Sequence, residues 1–232
     1  MRFSGLAERV AEVRGRITES ARRGGHGQSV RLVAVTKTHG PDAVLAAWEA
    51  GITDVGENKV QEATQKQDAL RDAGTAPAGL RWHLIGHLQT NKVKALARFA
   101  LFHALDRARL ADAAAAEAAK AGTPCDVLVQ VNVSREASKG GYEPAELPAE
   151  AERLVTLRAL RVRGVMTMAP LDADEATLRT VFGGARDALA VMRAAGHEAT
   201  ELSMGMSGDY EIAVEEGATL VRLGTVLFGT RS

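Results

Sequence analysis

The sequence predicts an α/β protein folded as a single (β/α)8 TIM-type barrel with an extra N-terminal helix, one domain over residues 1–232. Three observations predict it. Eight short runs rich in β-branched residues recur along the chain, they are apolar on both faces, and helical stretches separate them, which describes a parallel sheet joined by right-handed crossovers. Eight repeats favour closure over an open doubly wound sheet. The turn after the first run, "TKTHGP", also lacks the GxGxxG fingerprint that an open sheet usually carries there.

The first element is helical. "MRFSGLAERVAEVRGR" spaces Phe3, Leu6, Val10, Val13 and Ile17 along one helix face, and its charges interrupt any apolar segment of a signal peptide. "VRLVAVT" (30–36) is the first strand, and "PDAVLAAWEAG" follows as a helix that opens on Pro41 and closes on Gly51. The next strands are "ITDV" (52–55), "RWHLI" (81–85) and "ALFHAL" (100–105), after which the alanine-rich segment 107–121 is helical. "DVLVQVNV" (126–133) and "LRVRGVMTM" (160–168) lead to a long helical pattern over 174–195, ended by Gly196, and "TELSM" (200–204) and "TLVRLG" (219–224) complete the eight. "AGTAPAG" (73–79) and "SREASKGGYEPAELP" (134–148) read as loops within the repeat.

Composition narrows the function. Lys plus Arg and Asp plus Glu number 29 each, so no global field favours nucleic acid or an anionic membrane. No run approaches the ~18 apolar residues of a membrane span. The single cysteine, Cys125, cannot form an internal disulfide, which fits a reducing cytoplasm. The apolar helix faces can be satisfied within one barrel, so the expectation is a cytoplasmic monomer.

In a parallel barrel the site is built at the carboxyl ends of the strands, so polar residues following strand ends are read together. Lys37 ends the first strand. A lysine at the mouth of a packed barrel loses solvation, which favours a nucleophilic amine able to form a Schiff base, whereas a lysine at an ordinary strand end snorkels to water. Two Gly-rich turns at the seventh and eighth strand ends, "SMGMSGD" and "RLGT", suit a phosphate: small residues admit backbone N–H groups, and Ser203, Ser207 and Thr225 add hydroxyls. Arg222 shares a strand face with Gly224 and can meet either a carboxylate such as Asp209 or Glu211, or a ring nitrogen of a bound heterocycle. His83 and His87 lack the Cys or carboxylate company of a zinc site, so no metal is expected and a core or mouth histidine is the reading. Asn58 and Asn132 suit turns.

"VAVTKTHG", "DVGENKVQEATQK", "WHLIGHLQTNK", "VQVNVSREASKGG", "RGVMTMAP" and "ELSMGMSGDYEIAVEEGATLVRLGTVLFGTR" run in the order found in the pyridoxal 5'-phosphate homeostasis protein family, which the chain resembles over nearly its whole length. The resemblance implies the alanine-racemase-type barrel of fold-type III pyridoxal phosphate (PLP) proteins. It implies a Schiff base on Lys37 with Asn58 beside the ring, a phosphate site at Ser203, Met204, Gly205, Ser207, Gly224 and Thr225, and Arg222 at the pyridine nitrogen. Met166 and His83 would be wall residues. The chain departs from the family's turn at Gly208, where an acidic residue or alanine often precedes the Asp, and Tyr210 is a local variation.

That resemblance shapes the expected activity. Arginine's fixed charge disfavours a pyridinium and weakens the cofactor as an electron sink. Alanine racemases pair their lysine with a tyrosine from a second, β-rich domain, and here "FGTRS" closes the sequence with none expected. Neither Tyr142 nor Tyr210 has a context that marks it as that base. The expectation is a PLP carrier or buffer with no catalytic residue, serving vitamin B6 homeostasis and handing PLP to apoenzymes. A PLP-dependent amino-acid racemase and a Schiff-base aldolase acting on phosphorylated sugars are the alternatives.

Overall fold

The computed structural model describes residues 3–136 and 139–229. Strands β1 (Arg31–Val35), β2 (Asp54–Glu57), β3 (Arg81–Leu84), β4 (Leu101–Leu105), β5 (Cys125–Gln130), β6 (Leu160–Met166), β7 (Glu201–Ser203) and β8 (Leu220–Leu223) pair in sequence order. Every pair is parallel, and β8 returns to β1 through Arg31↔Leu220 and Val33↔Arg222, which closes the barrel. All eight expected strands form. The second lies two residues later than "ITDV" suggests, because Gly56 and Glu57 are strand residues with buried side-chain surroundings.

Helices α2 (Pro41–Glu49), α3 (Val60–Asp72), α4 (Ala108–Ala121), α5 (Leu147–Thr156), α6 (Glu175–Ala194), α7 (Tyr210–Glu215) and α8 (Thr225–Phe228) ring the barrel, and a 3-10 helix over Thr90–Arg98 makes the β3-to-β4 crossover. α2 starts on Pro41 at its first turn, where the missing N–H costs nothing. α6 is capped by the Asp174 carboxylate, which accepts the Thr177 N–H at 2.8 Å. The loop of 134–148 contains a 3-10 turn at Pro144–Glu146 and gives way to α5 at Leu147.

The extra helix is α1 (Leu6–Gly24). Leu6, Val10, Val13 and Ile17 are its buried face, as their spacing predicts, and it packs on α7 and α8. Each such burial contributes about 1.5–3 kcal/mol relative to exposure, enough to hold a helix that lies outside the repeat. Phe3 sets its ring edge-on to Phe228 with centroids 5.6 Å apart.

One glycine is required by closure. Gly164 in β6 has φ 158°, and a Cβ there would collide with the Glu201 backbone of β7. The β5–β6 register shifts just before it, between Val127 and Leu128, so Gly164 lets the sheet bend where it curls round.

Candidate functional site

A cavity of about 630 Å³ opens at the carboxyl ends of the strands, a volume in the range of small-ligand sites. Lys37 enters it from the β1 end, Asn58 from β2, Gly86 and His87 from β3, and Asp106 from β4. Gln130 ends β5, and Lys139 and Gly140 follow it; Ser207–Asp209 follow β7; and Arg222 comes from β8, with Gly224 and Thr225 just after it. Lys37 is half-buried and, among the described residues, makes no hydrogen bond or ion pair. An amine that faces a cavity with no carboxylate paired to it is available for covalent chemistry.

Arg222 forms part of the cavity floor although only 4% of it is exposed. Its Nη1 donates to Ser203 Oγ at 2.6 Å and its Nη2 to the Thr167 carbonyl at 3.0 Å. Among the described residues no carboxylate lies within ion-pair distance, so the salt bridge to Asp209 or Glu211 does not form; Glu211 pairs with Arg16 on α1 instead. Burial lowers the guanidinium to about 10, with the charge of Asp209 opposing, and leaves it a cation at neutral pH.

Below Arg222 a hydrogen-bonded chain runs through the barrel interior. Ser203 Oγ lies 2.8 Å from His103 Nδ1, His103 Nε2 lies 2.8 Å from His83 Nδ1, and His83 Nε2 lies 2.9 Å from Asp54 Oδ1. The chemistry of the ends sets every proton. Arg222 can only donate and the Asp54 carboxylate can only accept. With neutral imidazoles, Ser203 donates to His103, His103 donates to His83 and His83 donates to Asp54. Burial holds His103 well below its ordinary value, with the charge of Arg222 adding to the effect, so it stays neutral. Burial also pushes the Asp54 carboxyl up, but hydrogen bonds from His83, Arg81 and Thr53 outweigh it and leave the group well below the usual carboxylate range. Arg31 and Arg81, at the first residues of β1 and β3, close this end of the chain over Asp54.

The two small-residue turns are tied to each other. Ser207 Oγ accepts the Val226 N–H at 3.2 Å, Arg222 N–H donates to the Gly205 carbonyl at 2.9 Å, and Asp209 Oδ1 accepts the Met206 N–H at 2.5 Å. Gly205 has φ 93°, and a Cβ there would sit 2.7 Å from that of Ala213 on α7. The Ser207 hydroxyl proton and the exposed Thr225 side chain remain free to meet a ligand oxygen in the cavity.

Six of the eleven residues that the family resemblance assigns to the cofactor therefore share the cavity: Lys37, Asn58, Ser207, Arg222, Gly224 and Thr225. The other five do not line it. Ser203 spends its hydroxyl on Arg222 and His103, His83 is enclosed between Asp54 and His103, and Met166 and Met204 are buried. Gly205 shapes the turn from behind. In this structure Ser203 supports Arg222 from beneath, and His83 is a member of the interior chain.

His87, a core or mouth histidine from sequence, lies at the mouth, and what the sequence did not show is its pairing with Asp106: Nδ1 and Oδ2 lie 2.9 Å apart on the cavity wall. Their positions just after strand ends were the available signal. His103 was also missed, although a histidine inside the apolar run "ALFHAL" marks a buried polar contact. Asn132 is a turn former, donating to the Glu136 and Lys139 carbonyls at 2.9 and 3.1 Å. Neither tyrosine lines the cavity: Tyr142 donates to Glu150 at 2.6 Å, and Tyr210 is buried on α7. No helix among the described residues is long and apolar enough to cross a membrane.

Fold and site together define a ligand-binding (β/α)8 barrel with an unpaired lysine and a buried arginine in one cavity. Residues 12–232 match the family model described as alanine racemase, N-terminal domain. The chain is 42% identical over 231 residues to the pyridoxal phosphate homeostasis protein of Pseudomonas aeruginosa, covering 99% of this chain and 97% of that protein. It is 40% identical over 227 residues to the protein of the same name in Aquifex aeolicus, covering 97% of each. The structure of PipY from Synechococcus elongatus with PLP bound superposes with a TM-score of 0.84 at 38% identity, over 97% of this chain and 100% of that one. The chain belongs to the alanine racemase N-terminal-domain family, among its pyridoxal phosphate homeostasis proteins.

Proposed function

We propose that this chain binds PLP reversibly through Lys37 and serves PLP homeostasis as a cytoplasmic, monomeric carrier, without turning over amino acids. The observation that carries the reading is Lys37 itself: a half-buried amine without a partner among the described residues, in a cavity floored by a guanidinium that no carboxylate neutralises. The donor set fits the group. Lys37 would hold the aldehyde covalently, Asn58 would lie beside the ring, and Ser207, Gly224 and Thr225 would meet the phosphate. PLP, when bound, supplies an electrophilic aldehyde and an electron-withdrawing ring. Arg222 would keep the ring nitrogen unprotonated, since a fixed cation disfavours a second positive charge beside it. Support also comes from the PLP-bound PipY structure.

A second reading, exchange of the α-proton of an amino acid, draws on the His87–Asp106 pair, in which the carboxylate orients a ring that faces the cavity. One experiment separates the two. PLP-loaded protein is incubated in deuterated solvent with a panel of chiral amino acids, and separately with a PLP-dependent apoenzyme. The carrier reading expects no exchange and recovery of apoenzyme activity. Exchange that disappears in His87→Gln would establish the second reading.

A further inference from the structure

Lys37 is gripped through the backbone on both sides. Thr36, before it, is fully buried; its hydroxyl donates to Glu57 Oε1 at 2.5 Å and its carbonyl accepts from Lys66 Nζ at 2.8 Å. Thr38, after it, has φ 70°, and its N–H donates to Glu62 Oε1. A β-branched residue in left-handed backbone is strained, and such strain persists only where the surroundings impose it.

Lys66 joins the two halves of the grip. Its Nζ donates to Glu57 Oε1 at 2.6 Å and to Glu62 Oε1 at 2.9 Å. Glu62 and Lys66 stand one turn apart on α3, so a single helix face reaches both ends of the Lys37 segment. The Lys66 side chain is 5% exposed and that of Glu57 0%. Burying such a pair is a poor route to stability, because well-packed apolar side chains do as well or better. Glu57 is not optimised for it either: burial pushes its carboxyl up against the pull of Lys66 and Thr36, and Oε2 has no hydrogen-bond partner. What the cluster does supply is a fixed course for the three residues centred on Lys37.

We propose that Lys66, Glu57 and Glu62 are positioning residues that hold the Lys37 turn in the strained conformation presenting its amine to the cavity. The proposal rests on the reading of Lys37 as the aldehyde anchor. Without Glu62, Thr38 relaxes towards the right-handed region, the following peptide rotates, and the amine loses its aim.

The test compares full-length Glu62→Ala, Glu62→Gln and the double variant Thr38→Gly, Glu62→Ala. Two quantities are read: the modification rate of Lys37 by acetic anhydride in cofactor-free protein, followed by peptide mass spectrometry, and the dissociation constant for PLP. Glu62→Ala should raise the dissociation constant about tenfold, the order expected for one lost hydrogen bond to a charged group, and change the Lys37 modification rate relative to the other lysines. Glu62→Gln keeps an acceptor for the Thr38 N–H and should stay within about twofold of the parent. The double variant should recover part of the loss, because glycine adopts this backbone without strain. Folded Glu62→Ala that matches the parent in both quantities overturns the proposal. If that variant does not fold, Thr36→Val removes the hydroxyl at nearly constant shape, and unchanged values there overturn it equally. A parent protein in which PLP attaches to another lysine would refute the anchor reading, while the modification rates in cofactor-free protein would still decide whether the cluster positions Lys37.

Discussion

Replacing His103 with glutamine should remove a defined part of the protein's acid sensitivity. His103 is fully buried and held neutral, chiefly by burial, with the charges of Arg222 and Arg31 adding to it. In the unfolded chain it titrates near its ordinary value, about 6.5. Below that pH the unfolded state takes up a proton that the folded state refuses, so stability falls as the pH falls towards the depressed folded value. Between about pH 7 and pH 5 the loss from this one group is about 2 kcal/mol. Glutamine can still accept from Ser203 and donate to His83 but does not titrate, so the interior chain stays connected. Urea unfolding of parent and variant at the two pH values is the assay. The parent should lose about 2 kcal/mol more than His103→Gln. Equal losses would refute the assignment of a neutral, buried His103 to the chain beneath Arg222.

Three further outcomes follow from the same geometry. Thr225→Val should weaken PLP retention by about 1.5–3 kcal/mol, read as roughly a tenfold or greater rise in the dissociation constant; an unchanged constant would remove Thr225 from the phosphate ligands. Arg222→Glu should place a group that stabilises a proton at the ring nitrogen, detected as an altered spectrum of bound PLP and the onset of α-proton exchange; a folded variant with the parent's spectrum and rates means that Arg222 does not face that nitrogen. Gly164→Ala should destabilise by more than about 4 kcal/mol, because its Cβ would overlap the Glu201 backbone, and a parent-like urea midpoint would contradict this account of barrel closure.

The barrel was legible because strand periodicity and helix punctuation are local signals. "VRLVAVT" and "TLVRLG" each announce a strand, and eight such runs leave few topologies that bury both faces. The end of β2 was less legible. Glu57 reads as a polar turn residue, and only the fold shows that Lys66, nine positions later, makes it a buried strand residue. The site divides in the same way. Lys37, Asn58 and Thr225 follow strand ends, so sequence position alone brings them to one cavity. Ser203 lies at a strand end too, but which partners claim its hydroxyl depends on His103 of β4, 100 residues away, and Arg222 of β8, 19 residues away. Such pairings across the barrel interior carry no local signature. The strain at Thr38 was equally hidden, since nothing in "TKTHG" requires a left-handed threonine until Glu62 is brought against it.

Whether Lys37 anchors PLP is decided by locating the covalent link. Parent and Lys37→Ala proteins are titrated with PLP, their absorbance is recorded before and after borohydride, and the reduced proteins are mapped by peptide mass spectrometry. The parent should show a visible band that borohydride bleaches, with the added mass on the peptide containing Lys37, and the variant should show neither. The same bleachable band in Lys37→Ala, with the mass on another lysine, would rule out Lys37 as the anchor.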